Sequence, residues 1–388
     1  VARRIRVVAA AAALVPVTVL AAACGSSGGS GSNGSTAANS SSAKMVGPAL
    51  PAQPAKAPTA VTETGSTLLF PLISAWATDY QKAWDPKSDP NRITITTGGT
   101  GSGTGITDAA TGTVDIGASD AYLSSADKSQ YPHLLNIALA ISAQQINYNL
   151  PGVKTPLKLD GTVLAGIYSG KITKWNALQI KALNPGVSLP GLTIVPLRRL
   201  DSSGDTFLFT SYLNAQDPSG WPASNVGTTV SWPAVKGEVS ETGNGGMVSG
   251  CAATKGCIAY IGISYLSKTQ AAGLGQALLK NAAGKFVAPT PATISAAANA
   301  QTSKTPPDET LSLINGPGAN AYPIINYEYA IVSTKQSDGT KAEDIRAFLH
   351  WAVHAGQNQA TYLDPVDFQP LPASVVQLSD AQIAKIGG

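Results

Sequence analysis

Charge is scarce in this sequence. Of its 388 residues 13% are Asp, Glu, Lys or Arg against 43% apolar, ample for a folded core and more than one ordinary domain. The formal charge of +3 lies in Arg3, Arg4 and Arg6: without those three of the 26 basic side chains, 23 basic groups face 23 acidic ones. No basic cluster remains, which argues against nucleic acid as a partner. An anion must then be held by local geometry. Histidine is rarer still, with His133, His350 and His354 alone. His350-Trp351-Ala352-Val353-His354 has helical i, i+4 spacing but lacks the glutamate of a zinc-protease helix, so it reads as an ordinary amphipathic helix. No metal or cofactor is implied. Aromatic residues are few, at 6%, whereas Gly (39) and Pro (26) are plentiful, which favours a globular chain with tight turns over a coiled coil or fibre.

Cysteine is confined to Cys24, Cys251 and Cys257. The first sits in a distinctive place. A basic start (Arg3, Arg4, Arg6), an apolar run from Val7 to Leu20 and the small residues Ala21, Ala22 and Ala23 precede it, the pattern of a secretory signal over residues 1–23. The stretch is too short and Ala-rich for a transmembrane anchor, and no stop-transfer charges follow. A cysteine after small residues resembles the bacterial lipobox, whose cysteine is diacylated, although Ala21 stands where a branched apolar residue is customary. The expected localisation is therefore the outer face of the cell membrane, held by lipid on Cys24. Residues 24–58, Ser/Gly-rich and then Pro/Ala-rich, bury nothing and read as a tether with a reach of roughly 35 Å. Lipidation of Cys24 leaves Cys251 and Cys257 as an even pair in an oxidising setting, which favours a disulfide over two reduced thiols.

From Val61 onward, short β-like runs lead through Gly/Ser turns into helix-like segments. Val61-Thr62-Glu63 precedes Gly65-Ser66-Thr67 and a helical pattern from Leu68 to Tyr80. Ile93-Thr94-Ile95 runs into Gly98 to Gly103 and a helix ending near Thr111, and Val114 to Gly117 ends at Ser119-Asp120. Ile194 to Leu197 leads to Arg198-Arg199, the turn Asp201-Ser202-Ser203-Gly204 and an apolar helix to Leu213. This alternation predicts an α/β architecture with largely parallel sheets. Ligands in such sheets sit at the carboxyl ends of strands, where helix starts offer unpaired N–H groups and partial positive charge. The glycine run is no P-loop, since no Gly-Lys-Ser/Thr follows. Nor is it a hydrolase elbow, because Thr100 and Thr104 flank Ser102 where glycines are needed.

Six separated segments carry a resemblance: Thr64-Gly65-Ser66-Thr67 with Pro71 and Trp76; Gly101-Ser102-Gly103; Val114 to Asp120; Ile167 to Asn176; Leu183 to Gly186; and Arg199 to Thr210. In this order they are similar to the PstS phosphate-binding proteins of ABC importers, from Val61 to the C-terminus. The Cys251/Cys257 pair and Tyr322 to Tyr329 resemble the actinobacterial lipoprotein members. The resemblance implies a periplasmic-binding-protein-like (type II) fold: one α/β lobe from 59–140 plus 321–388, a second from 141–320, and crossings near Ala138–Tyr148 and Asn320–Tyr329. It implies a monomeric, non-catalytic receptor that closes on inorganic phosphate and docks on permease subunits. By position, Ser66, Thr67 and Leu68 supply a helix start, Ser102 a hydroxyl and amide, and Asp120 the acceptor for a ligand proton. Arg199 is the cationic partner, with Ser203, Gly204 and Asp205 closing from the second lobe. Leu68 stands where the family has an aromatic residue, and Asp205 where it has threonine.

Two other readings compete with this one. An exported enzyme acting on phosphate esters would use Asp120 and Ser102, but no metal-spaced cluster or nucleophile–base pair accompanies them. A receptor for another oxyanion, such as sulfate, is the other. If the Asp205 carboxylate also faces the ion, two acceptors demand two ligand protons, and affinity falls as pH rises through neutrality. Otherwise Asp205 is an ordinary acid in the first turn of a helix, and Arg199 acts through Asp201.

Overall fold

The computed structural model describes residues 54, 59–84 and 93–387. The signal over 1–23, Cys24 and, apart from residue 54, the tether to residue 58 lie outside the described residues.

The first third of the body alternates as its turns dictate: β1 (Thr59–Gly65), α1 (Phe70–Ala83), β2 (Ile93–Thr96), α2 (Ser102–Thr111), β3 (Ile116–Ser119), α3 (Ser125–Gln130) and β4 (Leu134–Tyr148). The middle holds β5 (Lys158–Leu159), α4 (Gly161–Tyr168), α5 (Leu178–Leu183), β6 (Val195–Arg199), α6 (Gly204–Gln216), β7 (Val239–Glu241), α7 (Gly243–Ala253) and β8 (Cys257–Gly262). It continues through α8 (Leu266–Ala271), β9 (Gly275–Gln276), β10 (Leu278–Lys280), β11 (Phe286–Val287) and α9 (Pro291–Asn299). The chain then returns as β12 (Ile325–Ser333), α10 (Gly339–Val353) and α11 (Ala373–Ile383). Among the described residues no helix is long and apolar enough to cross a membrane.

The strand order β2-β1-β3-β12-β4-β8-β6-β7 joins two α/β lobes through one long strand. From Leu134 to Ala143 β4 pairs with β12; from Gln144 to Tyr148 it pairs with β8. The hand-over between Ala143 and Gln144 marks the passage from one lobe to the other. Parallel pairing holds for β1 with β2 and β3, and for β6 with β7 and β8. The sheet is nevertheless mixed, because β4 and β12 run antiparallel to every strand they pair with. They are crossing strands that enter from the other lobe, with no helical crossover to bring them round in parallel.

Each lobe buries its own aromatic cluster. Tyr80 on α1 meets Phe348 on α10 edge to face at 5.4 Å, and the buried Trp76 indole donates to the Gly356 carbonyl at 2.9 Å. In the other lobe Phe209 stacks on Tyr260 at 4.7 Å, and Trp175 donates to the Gly256 carbonyl at 2.9 Å. Cys251, near the end of α7, is disulfide-bonded to Cys257 at the start of β8. The helix expected from Leu68 starts two residues later, at Phe70, because Pro71 fits its first turn and residues 66–69 form a turn of their own.

Candidate functional site

Two helix starts and the turn that leads into α1 meet where β1, β2, β3 and β6 end. After β1 the chain turns at Ser66, whose Oγ accepts from the amides of Leu68 at 3.1 Å and Leu69 at 2.9 Å. After β2 it reaches Gly101, the cap of α2, at φ 102°, a backbone conformation that a side chain would strain. A Cβ there would also lie 2.7 Å from Asp201 Oδ2 of the opposite lobe. Gly204, the first residue of α6, lies so close to the other lobe that a Cβ would stand 2.6 Å from both Asp120 Oδ2 and Ser102 Oγ. Glycine at both places lets the backbone approach the opposite lobe closely. The lobes also bond directly: Gly103 N donates to Ser202 O at 3.0 Å, Asn244 Nδ2 to Thr67 Oγ1 at 3.0 Å, and Ser264 Oγ to Leu68 O at 2.8 Å.

The amides of Thr67, Ser102, Gly204 and Asp205 have no protein acceptor among the described residues. Ser203 Oγ is buried and also without a protein partner. These five donors come from both sides of the cleft, and with the α2 and α6 termini they suit an oxyanion. No surplus of cationic side chains is needed.

Asp120, 2% exposed at the end of β3, sits among donors. Ser66 Oγ donates to its Oδ1. Ser102 Oγ donates to Oδ2 at 3.3 Å and accepts from the Asp120 amide at 3.2 Å. Behind it stands Glu328 on β12, fully buried and hydrogen-bonded to Asp120. Glu328 Oε1 accepts from Ser142 Oγ at 2.5 Å and from Asn326 Nδ2 at 3.0 Å. Asn326 pairs with Ser142 in register, so β4 and β12 present this polar set on one face of an otherwise apolar strand pair. Burial and the adjacent Asp120 push the Glu328 carboxyl well above its ordinary range. It therefore keeps its proton and donates it toward Asp120. Burial and the Asp205 charge push Asp120 up to about 7, while the hydrogen bonds from Ser66 and Glu328 pull it back.

Arg199, at the end of β6, is almost fully buried and held by two acids. Its Nε donates to Asp201 Oδ1 at 2.8 Å, Nη2 to Asp201 Oδ2, and Nη1 to Asp205 Oδ2 at 2.8 Å. Three of five guanidinium hydrogens are thereby used, leaving one each on Nη1 and Nη2. Burial alone would lower the Arg199 pKa, but the two carboxylates more than reverse this and raise it. The Asp205 carboxylate also accepts from Gln144 Nε2 at 3.0 Å and Asn244 Nδ2 at 2.7 Å. Three donors thus hold it, two on Oδ2 and one on Oδ1, and turn it toward Arg199, Gln144 and Asn244. Asp205 also leaves its backbone N–H free.

All nine residues expected from sequence come together here, in differing relations. Leu68 presents no free amide, because Ser66 holds it, and its side chain packs over Gly262. Four neighbours were not foreseen: Ser142, Gln144, Asn244 and Glu328. Glu328 had a visible signal, as a lone carboxylate in the strand-like run from Ile325 to Val332 must be buried with a partner. Asn244 had none, since its partners lie 177 and 39 residues away.

Residues 52–355 match the family model described as the PBP superfamily domain. The chain is 32% identical over 322 residues to a phosphate-binding protein PstS of Xylella fastidiosa, covering 83% of this chain and 84% of that one. It is 30% identical over 283 residues to the phosphate-binding protein PstS 3 of Mycobacterium leprae, covering 71% and 74%. Among solved structures, a high-affinity periplasmic phosphate-binding protein bound with phosphate superposes with a TM-score of 0.61 at 24% identity, covering 83% and 93%. A putative phosphate ABC transporter substrate-binding protein from Clostridium perfringens superposes at 0.57 with 18% identity, covering 81% and 100%; both share the fold.

Proposed function

The chain belongs to the PBP superfamily and, within it, to the PstS-type phosphate-binding proteins, and on that footing we propose an extracytoplasmic receptor that hands inorganic phosphate to an ABC import permease. The observation that carries the choice of ligand is Asp120. A carboxylate has about four acceptor sites. Ser66, Ser102 and Glu328 fill three with donated hydrogens, and the fourth calls for an O–H from the ligand. Phosphate keeps a proton at neutral pH; sulfate does not.

In this reading the amides of Thr67, Ser102, Gly204 and Asp205, with the Ser203 hydroxyl, hold the remaining phosphate oxygens. Arg199 offers its two spare N–H groups, while Asp201 and the Asp205 carboxylate fix its orientation. Ser66 and Leu68 shape the first turn. The hand-over of β4 inside the Ala138–Tyr148 crossing supports two lobes, which we assign to 59–140 plus 321–388 and to 141–320, so that the anion is clasped between them. Binding without turnover is favoured because the relatives that the chain matches are named phosphate-binding proteins. The receptor works as a monomer tethered by lipid on Cys24.

Calorimetric titration of the full chain with phosphate and with sulfate tests the ligand: saturable binding of phosphate alone is expected. Equal binding of sulfate overturns the role of Asp120. Turnover of p-nitrophenyl phosphate with added divalent metals would replace the receptor by an enzyme. The tether is tested by Cys24→Ser, which should release the protein from membranes.

A further inference from the structure

Away from the cleft, α10 ends with His350 and His354 one turn apart, and Asp380 reaches both from α11. Nδ1 of His350 lies 3.1 Å from Asp380 Oδ1, and Nε2 of His354 lies 3.1 and 3.0 Å from its two oxygens. The imidazole centroids are 4.2 Å apart. One nitrogen from each ring and one carboxylate oxygen all fall within 4.8 Å of one another. Ligand atoms around zinc, at about 2.0–2.1 Å from the ion, are separated by roughly 3.3 Å in tetrahedral geometry. Small side-chain rotations convert the one arrangement into the other.

The surroundings favour a cation. Arg346, one turn before His350, donates its guanidinium to the Ile386 carbonyl, and Lys385 donates to Gln382 Oε1 at 2.7 Å. Among the described residues, Asp380 is paired with the two histidines and with no lysine or arginine. The carboxyl end of α10 adds negative potential at His354, its cap. All three side chains are partly exposed, so an ion can enter from solvent and keep water as its remaining ligand.

We propose that His350, His354 and Asp380 form a site for a divalent late first-row transition metal ion, which clamps α11 onto α10. Imidazole nitrogen with carboxylate oxygen suits zinc, copper or nickel better than magnesium or calcium. Each ring now directs the nitrogen nearest Asp380 at that carboxylate. On binding, that nitrogen gives its lone pair to the metal and the ring proton sits on the outward nitrogen, His350 Nε2 or His354 Nδ1. No protein group among the described residues accepts from those outward nitrogens, so affinity should be on the order of micromolar, without the gain an outer hydrogen-bond shell supplies. Sequence spacing exposed the two histidines but not the third ligand, which comes from a different helix.

The test uses the full chain in phosphate-free buffer, titrated calorimetrically with zinc chloride. One equivalent should bind, weakened at least tenfold in His354→Gln and abolished in the His350→Gln/His354→Gln pair. Saturating zinc should raise the melting temperature of the parent chain and leave the pair unmoved. With one equivalent of Cu²⁺, electron paramagnetic resonance should show coupling to two imidazole nitrogens, lost in the pair. Phosphate titrations and circular dichroism of the variants, expected unchanged, separate loss of the site from loss of fold. Absence of saturable binding, or binding that survives the double substitution, overturns the site and leaves the phosphate receptor untouched.

Discussion

Ser66 directs its hydroxyl hydrogen at Asp120 because its oxygen is already engaged by the amides of Leu68 and Leu69. A hydroxyl that accepts twice from backbone has only its proton left to give. The turn after β1 therefore fixes the polarity of a carboxylate at the end of β3, and Glu328 reinforces it from behind. Asp120 becomes an acceptor by construction, whichever anion arrives.

Asp120→Asn should test this directly. The amide can donate to a fully ionised anion, so discrimination against sulfate, expected on the order of 10⁴ in the parent protein, should collapse toward parity. Phosphate affinity should fall as well. Paired calorimetric titrations measure both, and a variant that keeps the parent's discrimination would assign it elsewhere in the cleft.

Buried carboxyls make stability depend on pH in a known direction, since burial raises Glu63, Asp120, Asp205, Glu309 and Glu328 alike. Burial raises Glu63 and Glu309 from 4.5 to about 8 and Asp120 from 3.8 to about 7. Each binds its proton more tightly folded than unfolded, so between the two values the native state holds more protons and stability falls as pH rises. Asp201 and Asp308 are shifted the other way, but their contribution changes only below the ordinary carboxylate range. The urea midpoint without ligand should therefore decline from pH 5 to pH 8. Glu309→Gln, which can still bond Ala138 N and Ser379 Oγ, should flatten the decline; an unchanged slope counts against the assignment.

The disulfide closes a short loop, its cysteines standing 6 positions apart in sequence. Replacing both by serine should cost about 2 kcal/mol of stability, read from the urea midpoint, with phosphate affinity unchanged. A change in affinity would mean that α7, which carries Asn244 against Thr67 and Asp205, depends on the link for its position.

The turn at Ser66 and the helix starts at Ser102 and Gly204 were legible because each follows a short apolar run and a Gly/Ser turn, signals contained in a few consecutive residues. Asp120 was legible for the same reason, as a polar end to a strand. The antiparallel course of β4 was not, because nothing in Leu134 to Tyr148 tells which partner lies on either side. Nor was the direction of the Asp205 side chain. First-turn acids on a helix look alike in sequence, and what turned this one inward is the convergence of Arg199, Gln144 and Asn244 from three other elements. Asp380 escaped notice as a neighbour of His350 and His354 because α11 packs on α10 through tertiary contacts that spacing does not encode.

The side-chain direction of Asp205 sets the proton count of the bound state. Where the acceptor site that Arg199, Gln144 and Asn244 leave on Asp205 points away from the anion, one ligand proton suffices, shared with Asp120, and the monohydrogen dianion is the species of choice. Above neutrality both Asp120 and the ligand already have those forms, so no proton is exchanged on binding and affinity should be level from about pH 7.5 to 8.5. Below about 7, where Asp120 is protonated in the free protein, binding must release protons and affinity should weaken with falling pH. Asp205→Asn should keep this profile while lowering affinity, since a side-chain amide in place of the carboxylate cannot accept from all three donors and Arg199 loses an anchor. Calorimetric titration with phosphate across that range decides the matter. A fall approaching tenfold per unit as pH rises through neutrality, abolished in Asp205→Asn, would mean that Asp205 turns to the ligand on binding and takes a second proton from it.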